Sequence, residues 1–97
     1  MNLAIIIPAY NPPPTFSTLL KSIREITSNP IIIIDDGSTP KISMDYSGVL
    51  VLRNRHNRGK GYTLIKGFKF AVNEGYTHAI TIDADNQHDP ELINSFL

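Results

Sequence analysis

Asp83-Ala84-Asp85-Asn86-Gln87-His88-Asp89-Pro90-Glu91 is the stretch where the side chains turn from apolar to chemically capable. Ile80-Thr81-Ile82 before it is β-branched and reads as a buried strand, which puts Asp83 and Asp85 at a strand end. A carboxylate there can face a cleft, whereas mid-strand it would be buried at considerable cost. Two carboxylates one residue apart raise each other's pKa unless a cation lies between them. Asp83, Asp85, Gln87 and Asp89 offer hard oxygen donors, which suit magnesium, manganese or calcium better than zinc or copper. A metal or phosphate site is the sharper reading of Asp83 and Asp85, and a solvated turn the plainer one. The alternate spacing is not an EF-hand, because the glycine needed at position 6 is His88 and the glutamate needed at position 12 is Asn94. For Asp89, Pro90 and Glu91 a helix start is explanation enough: a cap, a first-turn proline and an acid facing the helix dipole.

Two further clusters carry charge. Arg53-Asn54-Arg55-His56-Asn57-Arg58-Gly59-Lys60-Gly61 holds five basic side chains if His56 is counted. Taken singly, Arg53, Arg55 and Arg58 could each be ordinary solvated surface. Arg58 and Lys60, however, stand where a helix begins, and a helix N-terminus favours anions. The segment is neither G-x-x-x-x-G-K-[ST] nor G-x-G-x-x-G. Asp35-Asp36-Gly37-Ser38 is the second cluster. An acidic pair before Gly-Ser is often only a turn using side-chain hydrogen bonds. Against a base ring, though, a carboxylate can accept the imino N–H of uracil or guanine. Metal carboxylates on one side and a basic glycine turn on the other suggest a diphosphate held between them.

The elements that must position these groups follow from periodicity. Leu3-Ala4-Ile5-Ile6-Ile7 is short, apolar and β-branched, the mark of a strand buried on both faces, and ends at Pro8. Pro12-Pro13-Pro14 interrupts regular structure, Thr15 is a candidate cap, and Phe16, Leu19, Leu20, Ile23 and Ile26 fall at helical spacing over about three turns. Residues 31–34 form a second buried strand after Asn29-Pro30, completing a right-handed β-α-β unit. Residues 41–48 read as a loop or a poorly formed helical turn, and residues 49–52 as a third strand. Leu64, Ile65, Phe68, Ala71 and Val72 mark a second helix, with Gly75 placed for a left-handed cap. Residues 79–82 form the fourth strand, and Asp89 opens a last helix. The expected architecture is a doubly wound, Rossmann-like α/β/α layer with a mainly parallel sheet. Ligands of such sheets bind beyond the carboxyl ends of the strands. Pro8 to Asn11, Asp35-Asp36 and Asp83 to Gln87 would meet there.

Composition sets the outer bounds. The 97 residues suffice for one domain with a core and are too few for two. Nine basic and nine acidic side chains give a net charge of zero, which argues against nucleic acid as a general partner. With no cysteine, neither disulfides nor thiolate metal sites can form. The apolar runs fall far short of the roughly 20 residues that cross a bilayer, and no basic leader precedes the first one, so the chain is cytosol-compatible.

Four segments together resemble a known family. Ile6-Ile7-Pro8-Ala9-Tyr10-Asn11, Ile34-Asp35-Asp36-Gly37-Ser38-Thr39, Asn57-Arg58-Gly59-Lys60-Gly61 and the stretch from Asp83 to Glu91 match the nucleotide-binding half of family-2 glycosyltransferases with the GT-A fold, in order and spacing. The branch containing dolichyl-phosphate mannosyltransferase looks nearest. The resemblance implies a UDP- or GDP-sugar donor bordered by Pro8, Tyr10 and Asn11, with Asp36 on the base and Asp83 on the ribose. It also implies Mg2+ or Mn2+ on Asp85, with Gln87 as an added ligand, bridging a diphosphate that Arg58 and Lys60 approach. Inverting transfer to a polyprenyl phosphate or a saccharide follows from the same resemblance. Pro40 departs from the family, which often has Asp or another polar residue there.

Family members continue into a second half carrying the acceptor site and the general base. The expectation is therefore an N-terminal donor-binding part spanning residues 1–97, with the catalytic base beyond Leu97. A sheet missing its other half would favour self-association. The full-length protein would be cytoplasmic, at the inner face of the membrane if it is anchored. Two other readings compete: a non-catalytic nucleotide-sugar-binding or assembly module, and a phosphoacceptor receiver domain, whose single Asp and distant Lys are not identifiable.

Overall fold

The computed structural model describes residues 2–84. The strands are β1 (Leu3–Ala9), β2 (Ile31–Asp35), β3 (Val49–Arg53) and β4 (His78–Thr81), and the helices are α1 (Phe16–Ile26) and α2 (Lys60–Asn73). All strand pairs are parallel, in the order β3-β2-β1-β4, with Ile5 opposite Ile31, Ile31 opposite Val49 and Leu3 opposite His78. The doubly wound α/β expectation holds.

β1 and β2 occupy the middle of the sheet and are buried at every position. Side chains alternate between faces, and the two faces have separate cores. Ile5, Ile7, Ile31 and Ile33 pack with Phe16, Leu20 and Ile23 of α1. Ala4, Ile6, Ile32 and Ile34 pack with Ala71 of α2. Each isoleucine removed from water contributes about 1.5–3 kcal/mol, which is why an Ile-rich run can hold the centre of so small a sheet. α2 lies close because residue 67 is glycine: a Cβ there would stand 2.7 Å from Ile6 Cγ2 and 2.8 Å from Ile34 Cδ1. Gly75, at φ +87°, takes the left-handed conformation that its place after α2 predicts.

Several expectations need correction. β1 runs on through Pro8 and Ala9, since Pro8 pairs opposite Ile34 near the strand end, where a missing N–H is tolerated. The Thr15 side chain makes no capping hydrogen bond to α1. β4 is not a buried strand: His78, Ala79 and Thr81 are exposed, because α2 packs over β1 and β2 and β4 pairs with β1 alone among the described residues. Ile82, just past β4, is buried as expected. Residues 41–48 form neither helix nor strand, so of the two readings the loop is the one found.

Candidate functional site

Strand alternation decides which acidic residues can meet. Ile31 and Ile33 belong to the α1 face, so Asp35 emerges on that face, while Asp36 follows Ile32 and Ile34 to the α2 face. At the end of β4 the same rule applies: Ile82 and Ala84 join the α1-side core, and Asp83 between them turns to α2. Pro8, in step with Ala4 and Ile6, faces the α2 side as well. A pocket of about 160 Å³ forms there, and Pro8, Tyr10, Asp36, Lys60 and Asp83 line it, together with Ala9, Asn57, Gly59 and Thr63. Complete small-molecule sites run to roughly 300–1,000 Å³, so the described residues make part of a wall.

Asp36 is buried, and both its oxygens are held. Oδ1 accepts hydrogen bonds from Asn54 Nδ2 at 2.8 Å and Arg58 N at 2.7 Å, and Oδ2 accepts one from Gly59 N at 3.0 Å. The carboxylate thus takes two amides of the basic turn, leaving fewer for a ligand anion than a bare helix start would offer. Gly37, at φ +80°, permits this closeness: a Cβ would stand 2.7 Å from Asn57 N and 2.8 Å from the His56 carbonyl carbon.

Asp35 has a different task. Its carboxylate is fully buried and accepts hydrogen bonds from Ser38 N at 2.8 Å, Ile42 N at 2.8 Å and Arg53 Nη1 at 2.6 Å. Burial would push its pKa up, but the hydrogen bonds from Ile42, Ser38 and Arg53 outweigh burial and hold the carboxyl below its ordinary value. Asp35 therefore pins residues 38–42 under β2 rather than entering the pocket.

Lys60 Nζ donates to Asp83 Oδ2 at 2.8 Å, so the basic turn and the carboxylate stretch do meet. Asn11 lies beside the pocket rather than in it. Its backbone N donates to Ser38 Oγ at 2.8 Å and its Oδ1 accepts from Thr39 N at 2.9 Å, tying the β1 loop to the β2 loop. The Arg58 guanidinium sits 4.4 Å from the centre of the Tyr62 ring, away from the pocket lining. Asp85, Gln87, Asp89, Pro90 and Glu91 lie outside the described residues.

Sequence reasoning missed Asn54 and Thr63, both buried polar residues. Asn54 Nδ2 also donates to Thr63 Oγ1 at 3.0 Å, and Thr63 Oγ1 donates to Gly59 O at 2.8 Å. A signal existed for Asn54, which stands at the carboxyl end of β3, where ligands of parallel sheets bind. None existed for Thr63: α2 turns Thr63, Gly67 and Ala71 to the sheet and leaves Ile65, Phe68 and Val72 of the apolar spacing exposed.

Against this geometry, comparison with known proteins is informative. The sequence profile of "Glycosyl transferase family 2" matches residues 4–97. The chain belongs to that family. Three relatives show its neighbourhood. The UDP-N-acetylglucosamine--dolichyl-phosphate N-acetylglucosaminyltransferase of Methanococcus voltae is 32% identical over 108 aligned positions, covering 92% of this chain and 43% of the relative. The dolichol-phosphate mannosyltransferase of Pyrococcus furiosus is 30% identical over 103, covering 96% and 28%. The undecaprenyl-phosphate mannosyltransferase of Micrococcus luteus is 27% identical over 105, covering 100% and 43%. The chain spans less than half the length of the curated relatives it matches. The expected family and the partial GT-A architecture are thus both found, and the receiver-domain alternative falls away.

For this family-2 chain, two further observations bear on the site. Among the described residues no cluster of three or more His, Cys, Asp or Glu side chains is placed to hold a metal. The oxygen donors at hand nevertheless fit a hard divalent cation: Asp83 lines the pocket, and Asp85 and Gln87 follow it in sequence. Also among the described residues, no helix is long and apolar enough to cross a membrane.

Proposed function

We propose that this chain is the donor-binding part of a family-2 glycosyltransferase, a single nucleotide-sugar-binding domain over residues 1–97. Its donor is a UDP- or GDP-sugar. The observation that carries this reading is the meeting of Pro8, Tyr10, Asp36, Lys60 and Asp83 in one pocket, from three strand ends and one helix start. Pro8 and Tyr10 form walls, Asn11 braces the loop behind them, Asp36 reads the base and Asp83 meets the ribose. Lys60 moves from Asp83 to the diphosphate, and Arg58 joins it by leaving Tyr62.

Asp85 and Gln87 would hold Mg2+ or Mn2+, which neutralises charge on the leaving diphosphate when bound. An acceptor of the polyprenyl-phosphate class is supported by the dolichyl- and undecaprenyl-phosphate transferases among the relatives, and a saccharide is the alternative. Transfer with inversion requires a base from the rest of the protein, which would work in the cytoplasm at the inner membrane face. Self-association of the chain is part of the same reading, since Ile65, Phe68 and Val72 of α2 are exposed; light scattering tests it. The deciding experiment for the site is calorimetry with UDP and GDP, with and without magnesium. Binding of one or both is expected, and failure of both to bind with metal present would sink the proposal.

A further inference from the structure

The hydrogen bonds around Asp36 reach further than a nucleotide site in general. An ionised carboxylate offers about four lone-pair positions. At Asp36, Asn54 Nδ2 and Arg58 N fill both positions of Oδ1, and Gly59 N fills one of Oδ2. All three donors belong to the fold. One acceptor position is left, on Oδ2. Guanine presents its N1–H and its N2 amino group side by side, and a carboxylate satisfies both only if each oxygen accepts one. Uracil presents a single imino N–H between two carbonyls, and cytosine presents a ring-nitrogen acceptor at that place, which a carboxylate repels.

We infer, resting on the nucleotide-sugar reading above, that Asp36 makes this a site for uridine diphosphate rather than guanosine diphosphate, and that Asn54 sets the choice by holding Oδ1. The Asn54 amide cannot turn over. Its Nδ2 donates to Asp36 and Thr63 while its Oδ1 accepts from Lys66 Nζ at 2.9 Å. A flip would set carbonyl oxygen against carboxylate and amide N–H against ammonium. Thr63 gives its own proton to Gly59 O, so its oxygen is left to accept from Asn54. Asn54 is only 3% exposed and acts through Asp36, as a positioning residue.

The test is calorimetry on the full chain in magnesium with UDP, GDP, CDP and UDP methylated at N3. UDP should bind about tenfold or more tighter than the other three, because each of those leaves a polar group unpaired or opposed. Asn54→Ala frees one of the two positions on Oδ1, Arg58 N keeping the other, and should move the UDP-to-GDP affinity ratio toward one. A merely structural role would weaken both ligands alike and leave the ratio where it was, which would remove Asn54 from the argument. Should the variant not fold, the wild-type series decides. GDP binding as tightly as UDP, or methylated UDP binding as well as UDP, overturns the inference while the nucleotide site stands. Binding of none of the four overturns the site itself, and the inference with it.

Discussion

Lys60 Nζ lies 2.8 Å from Asp83 Oδ2, joining the first residue of α2 to the chain just beyond β4 across the pocket. The Lys60 side chain is 61% exposed, so solvent screens the pair and it adds little to stability. Lys60→Met should change unfolding free energy by less than about 1 kcal/mol. A diphosphate loses a cation in the same variant, and its affinity should fall roughly tenfold. Urea unfolding and UDP or GDP calorimetry read the two effects separately. Unchanged nucleotide affinity would remove Lys60 from the diphosphate site.

Asp35 makes the opposite bargain between stability and binding. Its carboxyl is held below the ordinary value, so the unfolded chain takes up that proton first as pH falls. The stabilisation is complete above the unfolded value, roughly pH 4, and is lost as pH drops through the folded one. Asp35→Asn should cost about 1–3 kcal/mol at pH 7 by weakening bonds to buried donors, and flatten the fall in stability below pH 4. Nucleotide affinity should follow stability only. Urea titrations at pH 7 and pH 3 check this, and a variant as stable as the parent at pH 7 would contradict it.

Gly67→Ala sets two effects against each other. Alanine favours a helix interior by up to about 1 kcal/mol. Its Cβ, however, would stand 2.7 Å from Ile6 Cγ2, on a strand with no room to retreat. Overpacking costs about 1–3 kcal/mol, so net destabilisation is expected in chemical unfolding. A stabilised variant would mean that α2 shifts easily on the sheet.

Divalent manganese or magnesium should strengthen UDP or GDP binding, and Asp85→Asn should remove most of that gain. The motive is the carboxylate pair at the end of β4, with Asp83 already in the pocket. Calorimetry with metal and with a chelator measures the difference. Equal affinities would speak against a metal site.

The 97-residue chain should bind a nucleotide diphosphate yet transfer no sugar. A general base must reach the acceptor hydroxyl, within roughly 2.6–3.2 Å. In the donor-bound reading the pocket carboxylates are already assigned, Asp36 to the base with three donors of the fold on it and Asp83 to the ribose, and Asp35 is buried outside the pocket. Incubation with UDP-glucose or GDP-mannose, metal and lipid-phosphate or sugar acceptors is the check. More than a trace of glycosylated product would show that a carboxylate of this chain is the base.

The sequence alone determined the elements. Residues 3–7 and 31–34 favoured central strands, because short apolar runs rich in isoleucine suit burial on both faces, and α1 and α2 followed from helical spacing and the glycine after Asn73 and Glu74. It also placed Pro8, Asp36 and Asp83 at strand ends. Only the tertiary structure decided that β4 sits beside β1 with most of its residues exposed, and that Asp36 rather than Asp35 faces the pocket. It alone supplied the partners: Asn54 is 18 residues from Asp36, and Lys60 is 23 from Asp83. Periodicity within an element fixes which side a residue takes relative to its neighbours. Which helix covers that side, and which distant donor waits there, depends on how the crossovers stack the layers, and no local spacing carries that information.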